Sequence, residues 1–81
     1  MSNAMPIAPE HVQRYLKIGR NIASYRKQRG YTQAELAKRI GISRSHLSAI
    51  EAPNVLRPFS IELLLSFADV LCVPPGKLLV F

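Results

Sequence analysis

The chain has 81 residues, of which 48% are hydrophobic, and its formal net charge is +6. This hydrophobic content excludes a disordered tail, and the short length predicts one small domain with a modest core. The charge is concentrated, because nine lysines and arginines lie between positions 14 and 44 against the single acidic residue Glu35. Such a basic stretch favours a polyanionic partner, although many of these side chains only solvate helix faces.

Several classes of protein are disfavoured by what the sequence lacks. Cys72 is the only cysteine, so neither an intramolecular disulfide nor a cysteine cluster for zinc is expected, and we predict that Cys72 fills core space at a helix end. No glycine-rich phosphate loop and no paired nucleophile and base are recognisable. We therefore predict a protein that is not an enzyme, with no catalytic residues, cofactor or metal. Because neither a signal peptide nor a membrane-spanning run is evident, a cytoplasmic location is expected.

The first residues divide into a short leader and the start of a helix. Residues 1–4, MSNA, are interpreted as a tag remnant before a natural start at Met5. Residues 5–17 are assigned to an N-terminal lead and the beginning of the first helix, and residues 18–81 to the main domain. Pro9 suits the first turn of a helix, since its missing amide hydrogen would be unpaired there.

The first helix is predicted to run to Gln28 or Arg29. Its core face is indicated by residues three or four positions apart, and these are Tyr15, Ile18, Ile22 and Arg26. Gly19 lies beside this face and permits close approach of a neighbouring helix. Gly30 follows the last turn and is expected to end the helix.

Residues 32–51, TQAELAKRIGISRSHLSAIE, predict two short helices joined by a tight turn. Thr32 and Glu35 have the spacing of a capping box, which fixes the start of the first helix. Gly41 ends that helix because glycine adopts a left-handed conformation without steric cost. Ser43 then caps the second helix. The core side of the pair is formed by Leu36, Ala37, Ile40, Leu47 and Ile50.

A loop and a further helix follow Glu51. In the loop, residues 52–59, we predict a positive φ angle at Asn54. Ser60 is expected to cap a helix whose apolar stripe is Ile61, Leu64, Leu65, Ala68 and Leu71. Leu63 and Phe67 widen the stripe beyond one core face, which indicates a surface for a partner. The last residues are apolar, and residues 79–81 are open to interpretation as a strand fragment.

The two short helices resemble the helix-turn-helix of the phage repressor and Cro-like (Xre-type) family. The resemblance rests on Thr32-Gln33, Leu36-Ala37, Gly41, Ser43 and Ile50-Glu51, and it extends from Ile18 to Leu71. It implies an all-α, compact five-helix, lambda-repressor-like domain, with the short fifth helix after Pro74 and Pro75. The implied function is sequence-specific binding of double-stranded DNA by a transcriptional regulator, which we expect to be a repressor acting as a homodimer on an inverted-repeat operator.

The resemblance assigns roles to individual residues of this chain. The N-terminal part of the second motif helix enters the major groove, so base reading is expected from Arg44, Ser45, Ser48 and Ala49. For Arg44, a phosphate contact or plain solvation is the alternative. Phosphate contacts are expected from Gln33, Ser43, His46 and Arg57.

Two further sets of residues complete the prediction. Arg26 and Glu51 occupy positions that pair in this family, so a structural ion pair between the first helix and the reading helix is expected. The dimer surface is predicted at Leu63, Phe67, Leu79 and Phe81. An alternative function stays open, in which the same fold serves as a protein-interaction module such as an antitoxin subunit or adaptor, with a protein partner on these apolar residues.

Overall fold

In a computed structural model, residues 7–81 are described, and they form four α-helices and a 3₁₀ helix, with no strand among them. The α-helices are α1 (Pro9–Gln28), α2 (Gln33–Ile40), α3 (Arg44–Glu51) and α4 (Ile61–Leu71), and the 3₁₀ helix is Pro75–Leu79. The all-helical class is therefore confirmed. The interpretation of residues 1–4 as a tag remnant lies outside the described residues. Within residues 7–81, none of the helices has the length and apolar character needed to cross a membrane.

Helices α2, α3 and α4 begin at the caps that the sequence predicts. The Thr32 hydroxyl accepts a hydrogen bond from the Glu35 amide at 3.1 Å, and the Glu35 carboxylate accepts one from the Thr32 amide at 2.9 Å. These bonds from Thr32, led by that of its backbone amide, hold the pKa of the Glu35 carboxyl below its ordinary value. Gly41 ends α2 with φ of 90°, and Ser43 and Ser60 cap α3 and α4 through their hydroxyls. The turn between α2 and α3 is thus fixed on both sides.

The core joins all five elements. Its largest fully buried side chains are Ile22, Leu36, Leu47, Phe67, Leu71 and Leu78. The long helix α1 packs against α3 and against the 3₁₀ helix, while α2 packs against α3 and α4. Gly19 lies where α1 crosses α3, and a Cβ atom there would overlap the backbone carbonyl of Ile50. The predicted close approach at Gly19 is therefore present, and it brings α3 against the middle of α1.

The C-terminal element differs from the predicted fifth α-helix. It is a five-residue 3₁₀ helix that begins at Pro75, and Pro74 before it is extended. Consecutive prolines withhold two amide hydrogens and keep Pro74 out of the helical region, so the helix begins only at Pro75. The strand alternative for residues 79–81 is also wrong. The Asn21 side-chain amide donates hydrogen bonds to the carbonyls of Leu78 and Val80 at 3.0 and 2.9 Å, so a side chain of α1 holds this segment.

Two local predictions are also corrected. Among the described residues, Cys72 has the only positive φ outside glycine, at 58°, so the predicted positive φ at Asn54 is wrong. Cys72 follows the last residue of α4, where a left-handed conformation returns the Cys72 and Val73 amides to carbonyls of the final turn. Its side chain is exposed rather than part of the core.

Candidate nucleic-acid interface

Helix α3 has one face in the core and one face toward solvent. Leu47 and Ile50 are buried, with 0% and 4% of their surface exposed. Arg44 and Ser45, in the first turn, are exposed. The second pair of predicted base-reading residues, Ser48 and Ala49, is half-buried. The structure thus keeps the four predicted residues off the core side of α3, with the arginine at its N-terminal end.

The N-terminus of α3 is held by Ser43. Its hydroxyl oxygen accepts a hydrogen bond from the His46 amide at 3.0 Å, which satisfies one of the unpaired amides of the first turn. The hydroxyl hydrogen of this exposed residue stays available to donate. His46 is half-buried beside it. Helix capping and phosphate contact are therefore compatible roles for Ser43.

The C-terminus of α3 is attached to α1 by the predicted ion pair. Arg26 Nε donates to Glu51 Oε2 at 2.8 Å, and Arg26 Nη2 donates to Glu51 Oε1 at 3.0 Å. Arg26 Nη1 donates to the Tyr31 carbonyl at 2.9 Å. Arg26 and Glu51 are only 8% and 9% exposed. The ion pair is confirmed. Its two parallel hydrogen bonds fix the C-terminal end of α3 relative to α1.

Gln33 belongs to the same network, which sequence reasoning did not find. Its side-chain nitrogen donates to Glu51 Oε1 at 3.0 Å, while the residue itself is half-buried at the first position of α2. The amide group retains a second hydrogen for an anion. Glu51 therefore connects Arg26 of α1, the start of α2 and the end of α3. It also orients the side chain of Gln33, which is predicted to contact a DNA phosphate.

Four other basic residues differ in whether they make contacts within the domain. Arg57 and Lys38 are exposed, whereas Arg39 lies over the Tyr31 ring with its guanidinium carbon 5.0 Å from the ring centroid. Arg29 donates through Nε to the Leu71 carbonyl at 2.7 Å and contacts the Cys72 carbonyl at 3.3 Å. Arg29 therefore stabilises the C-terminus of α4. No signal in the sequence connects residues 42 positions apart in this way.

The predicted dimer residues lie in different environments. Phe67 is fully buried, and its ring meets the Phe59 ring edge-on with centroids 6.0 Å apart, so its assignment to a pairing surface is wrong. Leu63 is half-buried against the core. Leu79 and Phe81 are 41% and 61% exposed. Phe67 is in the core because it lies on the same side of α4 as Leu64 and Leu71, which are three and four positions away.

Comparison with known proteins agrees with this geometry. Residues 22–78 match the family model described as helix-turn-helix. The chain is 42% identical over 62 residues to the HTH-type transcriptional regulator SinR of Bacillus subtilis (strain 168), a match that covers 76% of this chain and 55% of SinR. The chain thus spans about half the length of that curated relative.

Solved structures resemble this one over most of the chain. SinR in complex with DNA aligns with a TM-score of 0.71 and 41% identity, covering 78% of this chain and 98% of that chain. The restriction-modification controller protein C.AhdI from Aeromonas hydrophila aligns with a TM-score of 0.72 and 28% identity, covering 79% of this chain and 94% of that chain. This chain belongs to the helix-turn-helix family of the phage repressor and Cro-like (Xre) type.

Proposed function

We propose that this chain is a transcriptional regulator that binds double-stranded DNA sequence-specifically through α3, and that it represses by occupying an operator as a homodimer. The observation that carries the proposal is the division of α3 between Leu47 and Ile50 in the core and Arg44 and Ser45 in solvent. A major groove about 12 Å wide admits one such helix. The similarity to SinR, whose structure includes DNA, supports the same use of this fold.

Base reading is assigned to four residues of α3. Arg44 has the geometry to donate two parallel hydrogen bonds to a guanine, and Ser45 and Ser48 bond base edges or phosphates. Ala49 offers a methyl group to a thymine methyl. Because Glu51 fixes the far end of α3 and Ser43 its start, these side chains approach DNA from a rigid helix.

Phosphate binding is assigned to residues around the reading helix. Gln33 lies at the start of α2, where unpaired amides favour an anion, and Ser43 and His46 lie at the start of α3. Arg57 extends from the exposed loop between α3 and α4. Contacts of this kind fix the register of a protein on DNA without reading its sequence.

Selection from a random duplex library tests base reading. Recovered sites are expected to be inverted repeats, and their affinity, measured by fluorescence anisotropy, should fall steeply with salt. Arg44→Ala should cost roughly 1 to 3 kcal/mol, or roughly 5- to 150-fold in affinity, mainly for the selected site over random DNA. Lys17→Ala on α1 is the matched control, since it removes an equal charge from an exposed residue outside α3.

The control also defines the result that contradicts the proposal. If Arg44→Ala and Lys17→Ala weaken binding equally and at every sequence, Arg44 acts only as a charge. If no preferred site is recovered, DNA reading is excluded and the protein-interaction module becomes the better assignment.

A homodimer is proposed because one reading helix contacts few base pairs. Two helices in successive major grooves are about 34 Å apart, which matches an inverted repeat. We assign the pairing surface to the exposed side of α4 around Leu65, which is 41% exposed. Leu79 and Phe81 lie instead beside the positively charged side of α1, where a second copy would place like charges together.

Leu65→Lys tests this surface. We expect it to lower the mass measured by light scattering from dimer to monomer and to weaken binding to an inverted repeat more than to a half-site. Ser24→Lys adds the same charge to an exposed position of α1 and serves as the control. An unchanged mass for Leu65→Lys would remove α4 from the pairing surface.

A further inference from the structure

Two neighbouring depressions lie along α1, and together we call them the α1 groove. The lining of the larger, of about 420 Å³, includes His11, Arg14, Tyr15, Phe59, Ile61 and Leu79. The smaller, of about 240 Å³, is lined by Gln13, Arg14, Lys17, Arg20 and Phe81. Arg14 borders both, so they form one continuous surface. No residue of α2 or α3 lines either depression, so the α1 groove is separate from the proposed DNA-reading helix.

The α1 groove contains apolar surface that nothing else within residues 7–81 covers. Ile61, Leu79 and Phe81 are 69%, 41% and 61% exposed. Covering such side chains removes apolar surface from water, which favours binding. The larger depression is concave and has room for large side chains of a ligand. Its shape therefore favours insertion of an apolar side chain over contact with a flat surface.

The charged side chains that line the α1 groove are all basic. Among residues 7–81, the lining includes Arg14, Lys17 and Arg20, all exposed, and no aspartate or glutamate. Arg14 Nη1 donates to His11 Nδ1 at 3.0 Å, and an imidazole supplies no negative charge to the guanidinium. Across residues 7–81, the single ion pair is that of Arg26 with Glu51, so the groove cations lack carboxylate partners. Carboxylates of a ligand would pair with these cations.

Three kinds of occupant differ in how they fit this combination. A second copy related by a twofold axis would set Arg14, Lys17 and Arg20 against their own equivalents. DNA phosphates would match the charge but would leave the apolar depression unfilled. An acidic peptide with large apolar side chains matches both parts. We propose that the α1 groove binds a short acidic segment of another protein, anchored by one or two large apolar side chains in the larger depression.

This binding leaves α3 free, so a chain on DNA presents the α1 groove to a second protein. The apolar anchors of the peptide enter between Tyr15, Phe59 and Ile61, and its carboxylates face Arg14, Lys17 and Arg20. Such pairs at an exposed rim increase the association rate and the specificity more than the affinity. Peptide binding in the α1 groove is independent of the proposed DNA site, because the residues that line the groove are outside α2 and α3.

A displayed library of random 12-residue peptides, selected on the 81-residue chain, tests the proposal. Enriched peptides are expected to combine aspartate or glutamate with leucine, phenylalanine or tryptophan. When the enriched peptides are synthesised, they should shift amide resonances of residues 13–20, 59–61 and 79–81 in nuclear magnetic resonance spectra. The double variant Arg14→Glu, Lys17→Glu should weaken their binding at least tenfold, and Ile61→Ser should also weaken it. Lys38→Glu, Arg44→Glu makes the same change of charge at exposed residues of α2 and α3, so it is the matched control and should bind the peptides as the original chain does.

Other outcomes overturn the proposal. Enriched peptides without an excess of acidic residues, or resonance shifts confined to α2 and α3, would exclude an acidic-peptide site in the α1 groove. Vesicles of phosphatidylglycerol and phosphatidylcholine provide a separate arm. If they bind the chain through Arg14 and Lys17 while the selected peptides do not, the surface belongs to an anionic membrane. Circular dichroism spectra of the variants confirm that these exposed substitutions leave the fold intact.

Discussion

Replacement of Glu51 by glutamine is expected to reduce the free energy of unfolding by roughly 3 to 5 kcal/mol. Glutamine keeps the size of the side chain but removes the charge that Arg26 meets through two hydrogen bonds at 2.8 and 3.0 Å. Because Arg26 is only 8% exposed, its guanidinium would be left buried without a counter-charge. Thermal unfolding followed by circular dichroism measures the effect. For a domain of this size, the Tm should fall by more than about 10 °C.

The control for this loss is Glu62→Gln. Glu62 is an exposed glutamate in the first turn of α4, so its replacement should change the stability by no more than roughly 0.5 kcal/mol. The double variant Arg26→Met, Glu51→Leu removes both charges and should lose less than the sum of the single changes, since no unpaired charge remains. A melting curve of Glu51→Gln that coincides with that of the original chain would show that the ion pair contributes nothing net.

The same network connects stability with the proposed function. Glu51 Oε1 also accepts the hydrogen bond from Gln33, so its charge orients a side chain assigned to phosphate. Arg26 in turn holds the Tyr31 carbonyl just before α2 begins. One buried carboxylate thereby sets the relative positions of α1, α2 and α3. This is a structural reason for placing a glutamate, rather than an apolar residue, at the end of the reading helix.

The helix ends were predictable because their signals are local. A threonine three residues before a glutamate, or a serine at the start of an apolar repeat, carries its hydrogen-bond partner within the same turn. By contrast, the bonds from Asn21 to Leu78 and Val80 join residues almost sixty positions apart. Nothing in the spacing of an asparagine on α1 indicates that it holds the C-terminal segment. Contacts of this kind depend on the assembled fold.

The errors at Phe67 and Cys72 have a common origin. Sequence pattern shows which side of α4 is apolar, but not how wide a strip the neighbouring helices cover. Phe59 and the other elements enclose Phe67 completely, whereas Ile61 and Leu65, assigned to the core stripe, keep 69% and 41% of their surface exposed. Cys72 is apolar enough for the core but follows the helix in a left-handed turn. Packing between helices decides how much of the apolar side of α4 is buried.

Replacement of Leu78 by alanine is expected to cost roughly 2 to 5 kcal/mol of stability, as for other fully buried leucines. Leu78 is 0% exposed and lies in the 3₁₀ helix that packs against α1 and α4. Urea denaturation followed by circular dichroism measures the loss. The neighbouring Leu79→Ala is a matched control, because Leu79 is 41% exposed and its truncation leaves a smaller cavity. Equal losses for the two variants would contradict the buried position of Leu78.

Because Leu78 is in the core, the apolar C-terminal residues should be tested by point substitutions rather than by deletion. Deletion of every residue after Lys77 removes Leu78 from the core and takes away both carbonyl partners of Asn21. A deleted chain that no longer forms dimers or binds DNA would therefore report loss of the fold, whatever surface the dimer uses. Point changes at exposed positions such as Leu65 and Phe81 keep Leu78 in place. They separate the contribution of the tail to the core from its contribution to a partner surface.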